Sequence, residues 1–228
     1  MKKLNISVRF ILFVVLAVVT LAAPLSIVWK YESALHYGTL FKFRTEPVDP
    51  YDAFRGRYVT LSFADTWLKD SKDERFVNEG ILYVRLKRDA EGFAVPVEAN
   101  NKRLSGDDVV TVGAAYRNWR RADDGWRFDY PFNRYYLPED VAPMAEKLYG
   151  DANRRATAPN IIIDESIAEI KARRARQISA SYVAVRVRNG VGVIEELYLN
   201  GVPVREAVRA EMLRQQKLRE QQGVNDSQ

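Results

Sequence analysis

The longest uniform stretch of the chain is Phe10 to Trp29, twenty positions without a charged residue. As an α-helix it rises about 30 Å, the thickness of the hydrocarbon core of a bilayer. Its polar interruptions, Thr20 and Ser26, can bond back to helix carbonyls. Pro24 is tolerable in a membrane helix at the cost of a slight kink. Lys2, Lys3 and Arg9 precede the run, while Trp29 and Tyr31 stand where an interfacial aromatic belt belongs. Lys30, Lys42 and Arg44 weaken the charge asymmetry without reversing it. The pattern predicts a cytoplasmic tail over 1–9, a span over 10–29 and everything after Lys30 outside. In a bacterium this is a single-pass inner-membrane protein with a periplasmic domain. A cleaved signal peptide is the rival, since Thr20-Leu21-Ala22 offers small residues at the cleavage positions. Against it, the apolar run continues to Trp29, longer than the roughly 7–15 residues of a signal h-region.

From Thr39 the period changes to two. Val59, Leu61 and Phe63 fall on one face of Arg57–Phe63, and Leu82, Val84 and Leu86 on one face of Ile81–Arg88. Phe93–Val97, Val109–Tyr116 and Trp126–Phe132 continue the pattern. Tyr182–Arg188 and Val191–Leu199 predict a hairpin turned at Asn189-Gly190, residues suited to positive φ. Two helices are expected: a short one from Pro138 to about Leu148, and one from Asp164 to about Ile178 with acids first and bases last. Gly150–Pro159 reads as a polar loop between them. Val204, Val208 and Met212 form a thin apolar stripe on a tail that is helical or frayed. The fold class is therefore mainly β, an antiparallel sandwich or partly open barrel with two or three helices. Residues 39–203 form the exported domain, and 204–228 an amphipathic or disordered tail.

Chemistry is sparse. Zero cysteine excludes disulfides, thiolate metal sites and a Cys nucleophile; one histidine, His36, excludes mechanisms needing two imidazoles. Lys+Arg 35 against Asp+Glu 30 gives +5, too evenly spread to call for nucleic acid. Asp107-Asp108 and Asp123-Asp124 sit beside glycines as turn residues and lack calcium-loop spacing. No phosphate-binding glycine motif is present. A Ser–Lys pair such as Ser33 with Lys87 is the remaining catalytic option, resembling a membrane-bound signal peptidase, but Ser33-Ala34-Leu35 lacks the Ser-Met-x-Pro pattern of those enzymes. No catalytic residue, metal site or cofactor is assigned.

Two segments stand out. Pro47 to Phe63 contains Asp49, Asp52, Arg55, Gly56, Arg57, Tyr58, Leu61 and Phe63. It resembles the signature of the GDYXXLXY proteins, membrane-anchored bacterial proteins. Gly56, Tyr58 and Leu61 match that signature; Arg57 replaces its Asp and Phe63 its final Tyr. The resemblance extends through Gly92-Phe93, Phe132–Glu139 and the closing hairpin, with Asp164–Ile178 as an insertion. It implies no defined activity, but it does imply a multi-pass membrane protein as partner. Physically, the segment reads as a turn leading into a strand, or as a polar surface for a partner. The second segment is Phe132–Glu139, where Arg134, Tyr135, Tyr136 and Glu139 either fill core or line an anion pocket at a helix start. The function expected is a non-enzymatic, membrane-anchored interaction module. A Ser–Lys hydrolase and a periplasmic small-ligand binder are the alternatives.

Overall fold

The computed structural model describes residues 6–46, 58–69, 80–113, 116–117, 125–157 and 181–225. The apolar run forms one helix, α1 (Ile6–Tyr37), which passes Pro24 without a break. Within Val8–Tyr37 the most apolar window has a mean hydropathy of 2.8, and none of it is buried. Thr20 Oγ1 donates to the Leu16 carbonyl and Ser26 Oγ to that of Ala23, both at 2.7 Å. Their polarity is thus satisfied within the helix.

The helix does not stop at Trp29. It runs eight residues further, and its last turns pack on the domain, burying Ala34 completely. It ends at Gly38, whose N–H donates to the Ala34 carbonyl at 2.9 Å. A Cβ on Gly38 would lie 2.3 Å from that carbonyl oxygen and 3.0 Å from that of Val187. Only glycine lets the helix end approach the sheet so closely.

Among the described residues thirteen short strands follow, all paired antiparallel in the named ladders: β1 (Thr39–Glu46), β2 (Tyr58–Thr60), β3 (Ser62–Phe63), β4 (Trp67–Lys69), β5 (Leu82–Arg88), β6 (Ala94–Asn100), β7 (Val109–Val112), β8 (Tyr116–Arg117), β9 (Gly125–Arg127), β10 (Arg134–Tyr136), β11 (Ser181–Arg188), β12 (Val191–Leu199) and β13 (Val202–Pro203). The main sheet has the order β13-β12-β11-β1-β3; the others are β10-β2, β4-β9-β8 and β6-β5-β7. The architecture is mixed α/β, several small antiparallel sheets with no closed barrel among the described residues. The expected hairpin forms with Arg188 opposite Val191, and Asn189 and Gly190 take φ of 47° and 87°. Such angles match a primed two-residue turn.

Three expectations change. Val109–Tyr116 divides, with β7 ending at Val112. Trp126–Phe132 leaves the ladder at Arg127, although Phe128, Tyr130 and Phe132 keep the inward alternation. Gly150–Pro159 is not a loop as far as Thr157, because α2 (Ala142–Thr157) runs through it. Among its described side chains, the buried face of α2 is Ala142, Ala145, Tyr149 and Asn153, a helical spacing whose last member is polar. Asn153 is held inside by the Ser181 hydroxyl, which donates to its Oδ1 at 2.9 Å, and Tyr149 donates to the Glu46 carbonyl at 3.0 Å. The helix expected at Asp164–Ile178 lies outside the described residues. The tail is a helix, α3 (Val204–Asn225); Val204 and Val208 join the core, whereas Met212, Leu213 and Leu218 stay exposed.

The core is continuous across the sheets, and Phe43 of β1 sits at its middle. Its ring meets Phe63, Tyr130 and Phe132 edge-on at 5.9, 5.0 and 5.1 Å.

Candidate functional site

The described half of the motif, Tyr58 to Phe63, is a splice between sheets. Residues Tyr58–Thr60 pair with β10, then Ser62 and Phe63 pair with Glu46 and Thr45 of β1. Leu61, between them, donates its N–H to the Asn133 carbonyl at 2.9 Å. Val59, Leu61 and Phe63 are all buried, so this strand is fixed by its inward face. Asp49, Asp52, Arg55, Gly56 and Arg57 lie outside the described residues.

This pairing brings together two segments that are far apart in sequence. Tyr58 stands opposite Tyr136 with rings 5.6 Å apart, and the Arg134 guanidinium lies over the Tyr58 ring at 5.1 Å. Stacking of this kind holds a guanidinium in place while leaving its edge donors available. Arg134, Tyr135 and Tyr136 line an open cleft of about 770 Å³. Its other walls are the hairpin around Gly190–Glu195, Lys30 and Tyr31 of α1, and Arg205 of α3. Glu139 is not on its wall but in the exposed turn before α2, so the helix start that meets the cleft is that of α3.

Tyr135 organises the floor. Its hydroxyl donates to Glu196 Oε1 at 2.6 Å and receives Arg205 Nε at 3.3 Å, while the Leu197 N–H also reaches Glu196 Oε1 at 3.1 Å. Burial, reinforced by Glu196, pushes the Tyr135 phenol up to about 12, so at neutral pH it is a fixed donor. Glu195, the carboxylate on the wall, is bound by Arg186 at 2.9 Å. The hairpin tip is clipped to β7: the Thr111 N–H donates to the Gly190 carbonyl at 2.9 Å, and the Gly190 N–H to that of Val109 at 3.0 Å. Of the cleft's cations, sequence reasoning reached Arg134 but not Lys30 or Arg205. Lys30 read as a flank of the span, and Arg205 as part of a solvated tail.

A second polar cluster lies elsewhere. Arg44 is buried on β1 and binds Asp65 at 3.2 Å, Glu91 at 2.9 Å and Asp89, with its guanidinium over the Phe93 ring at 4.1 Å. Asp89 Oδ1 in turn accepts the N–H groups of Glu91 and Phe93. Burial pushes the Asp65 carboxyl up, with Arg44 pulling it part of the way back. Burial acts on Asp89 too, but the Arg44 hydrogen bond and the turn N–H groups hold its carboxyl below the usual range. This is a lock between β1 and two loops.

The structure does not bring together the Ser33 and Lys87 pair. Ser33 belongs to the helix that packs on β11 and β12, Lys87 is exposed on β5, and no hydrogen bond joins them among the described residues. Asp108 is engaged by Arg85 at 2.8 Å, and Asp107 faces Arg188 at 3.9 Å. Asp123-Asp124 lies outside the described residues. His36 is an exposed residue of α1 beside Glu32, 3.4 Å away.

Among the described residues, one long apolar helix docks on a domain of small antiparallel sheets, with a tyrosine-and-arginine cleft beside it. The chain belongs to the GDYXXLXY protein family, whose model matches residues 20–197. No curated protein and no solved structure matches it.

Proposed function

We propose that this is a membrane-anchored, non-enzymatic interaction module that works outside the cytoplasm with a multi-pass protein of the same membrane. The observation that carries the proposal is the unbroken course of α1 from the apolar run into the domain, where Ala34 is fully buried. A segment used as scaffold at its far end has a structural reason to be retained. An unbroken helix through Thr20–Ala22 also withholds the extended backbone that a signal protease must grip. The lateral surface of the run is free for lipid or for a neighbouring helix, because Phe10, Leu16, Leu21 and Leu25 are all exposed. The domain it holds is, in our reading, a partly open barrel, its sheets stitched by bridges between Lys42 and Phe93 and between Val110 and Gly190.

Lys2, Lys3 and Arg9 on the N-terminal side of the run support an orientation with the domain in the periplasm of a bacterium. The test is photo-crosslinking in intact cells at native expression, with the probe at Tyr37 or Tyr136, which are 74% and 62% exposed. The expected adduct is a multi-pass membrane protein that also co-purifies in mild detergent. A lone, monodisperse chain without an adduct from either position would overturn the proposal.

A further inference from the structure

We propose that the cleft binds the phosphate of an anionic lipid headgroup in the leaflet from which α1 emerges. This rests on α1 being a retained span, as proposed above. Lys30 is the first residue after the uncharged run, so the cleft that it lines opens within a turn or two of the membrane surface. Three cations from three separated segments, Lys30, Arg134 and Arg205, share that cleft with one carboxylate, Glu195.

The carboxylate does not cancel them. Glu195 is engaged by Arg186, and Glu196 behind the wall, held by the neutral Tyr135 hydroxyl and Leu197 N–H, offsets only part of the Arg205 charge. Among the described residues, no carboxylate lies within ion-pairing distance of Lys30, Arg134 or Arg205. Both guanidiniums are held before any ligand arrives, Arg134 over Tyr58 and Arg205 by the Tyr135 oxygen. Little ordering then remains to be done on binding. A planar fork suits a phosphate oxygen pair. Tyr31 and Tyr136 add amphipathic rings of the kind that settle at headgroup level. A free phosphate shares the recognition chemistry. The lipid source is favoured because the cleft is placed beside the anchor.

The experiment uses the full chain in nanodiscs of phosphatidylcholine, with or without phosphatidylglycerol, and reads the melting temperature and the lipid retained in native mass spectrometry. Phosphatidylglycerol is expected to raise the melting temperature and to stay bound. Retention should fall about fivefold for each cation removed, in Arg134→Ala with Arg205→Ala, and in Lys30→Ala, which sits on an exposed helix position and leaves the fold alone. Lys42→Ala, a cation outside the cleft, is expected to leave retention unchanged. Inorganic phosphate added to the chain in detergent is expected to do little. A rise with inorganic phosphate and none with phosphatidylglycerol would overturn the lipid source, and no rise with either would overturn the site. Intact mass separates the two proposals: a chain lacking α1 overturns both, and a full-length chain indifferent to headgroup overturns this one alone.

Discussion

Replacing Arg44 with methionine keeps much of the side-chain volume and removes the charge that faces Asp65, Asp89 and Glu91. The Arg44 side chain is 10% exposed, and those of its partners are 31%, 25% and 67% exposed. Breaking a fully buried ion pair costs about 3–5 kcal/mol. Water reaches the acids here, so the expected loss is about 2–3 kcal/mol, including the stacking on Phe93. At about 2–4 °C per kcal/mol for a chain of this size, the melting temperature should fall by about 4–12 °C.

The pH dependence gives a sharper test. Asp89, whose carboxyl is held low, contributes stability above its unfolded value of 3.8 that is lost as pH falls through its lower folded value. Asp65, raised by burial, costs stability wherever it is ionised, and that cost is relieved as pH falls through its folded value. Without Arg44 both carboxyls move up. The variant's deficit should therefore be full at pH 7 and shrink as pH falls toward and below 3.8. Thermal unfolding of the full chain in detergent across that range reads it. A fall below about 2 °C, or a deficit that does not change with pH, would refute the reasoning.

Gly38→Ala forces a Cβ to within 2.3 Å of the Ala34 carbonyl oxygen. It is expected to cost about 1–3 kcal/mol in denaturant unfolding, whereas Gly113→Ala, with nothing within 4 Å, should be near neutral; equal costs would deny the close approach. Burial raises the Tyr149 phenol from 10.0 to about 12. The unfolded chain therefore loses that proton first, and stability should fall between about pH 10 and 12, less steeply in Tyr149→Phe; identical slopes would contradict the assignment.

The apolar helix, the inward faces of β2, β3 and β5 and the Asn-Gly hairpin were legible because each is set by local periodicity or turn chemistry. Thr39–Glu46 was not singled out as a strand, although β1 pairs with both β11 and β3. Its Arg44 and Thr45 are buried polar residues, which break the apolar alternation that marks a strand. The reach of α2 past Gly150 was hidden in the same way, since the last buried position among its described side chains is Asn153, whose Oδ1 accepts from Ser181, 28 residues away. Arg134, Tyr135 and Tyr136 were recognisable as a candidate cluster, but their union with Tyr58, Lys30 and Arg205 depends on strand pairing and helix docking. Nothing local in the sequence encodes those contacts.

The absence of native cysteine permits single-cysteine labelling without background. In right-side-out membrane vesicles, a membrane-impermeant maleimide should label Tyr37→Cys and leave Val19→Cys untouched, on a chain whose intact mass includes α1. Labelling of Val19→Cys, or a species truncated near Ala22, would contradict the account that a retained helix holds this domain against the membrane.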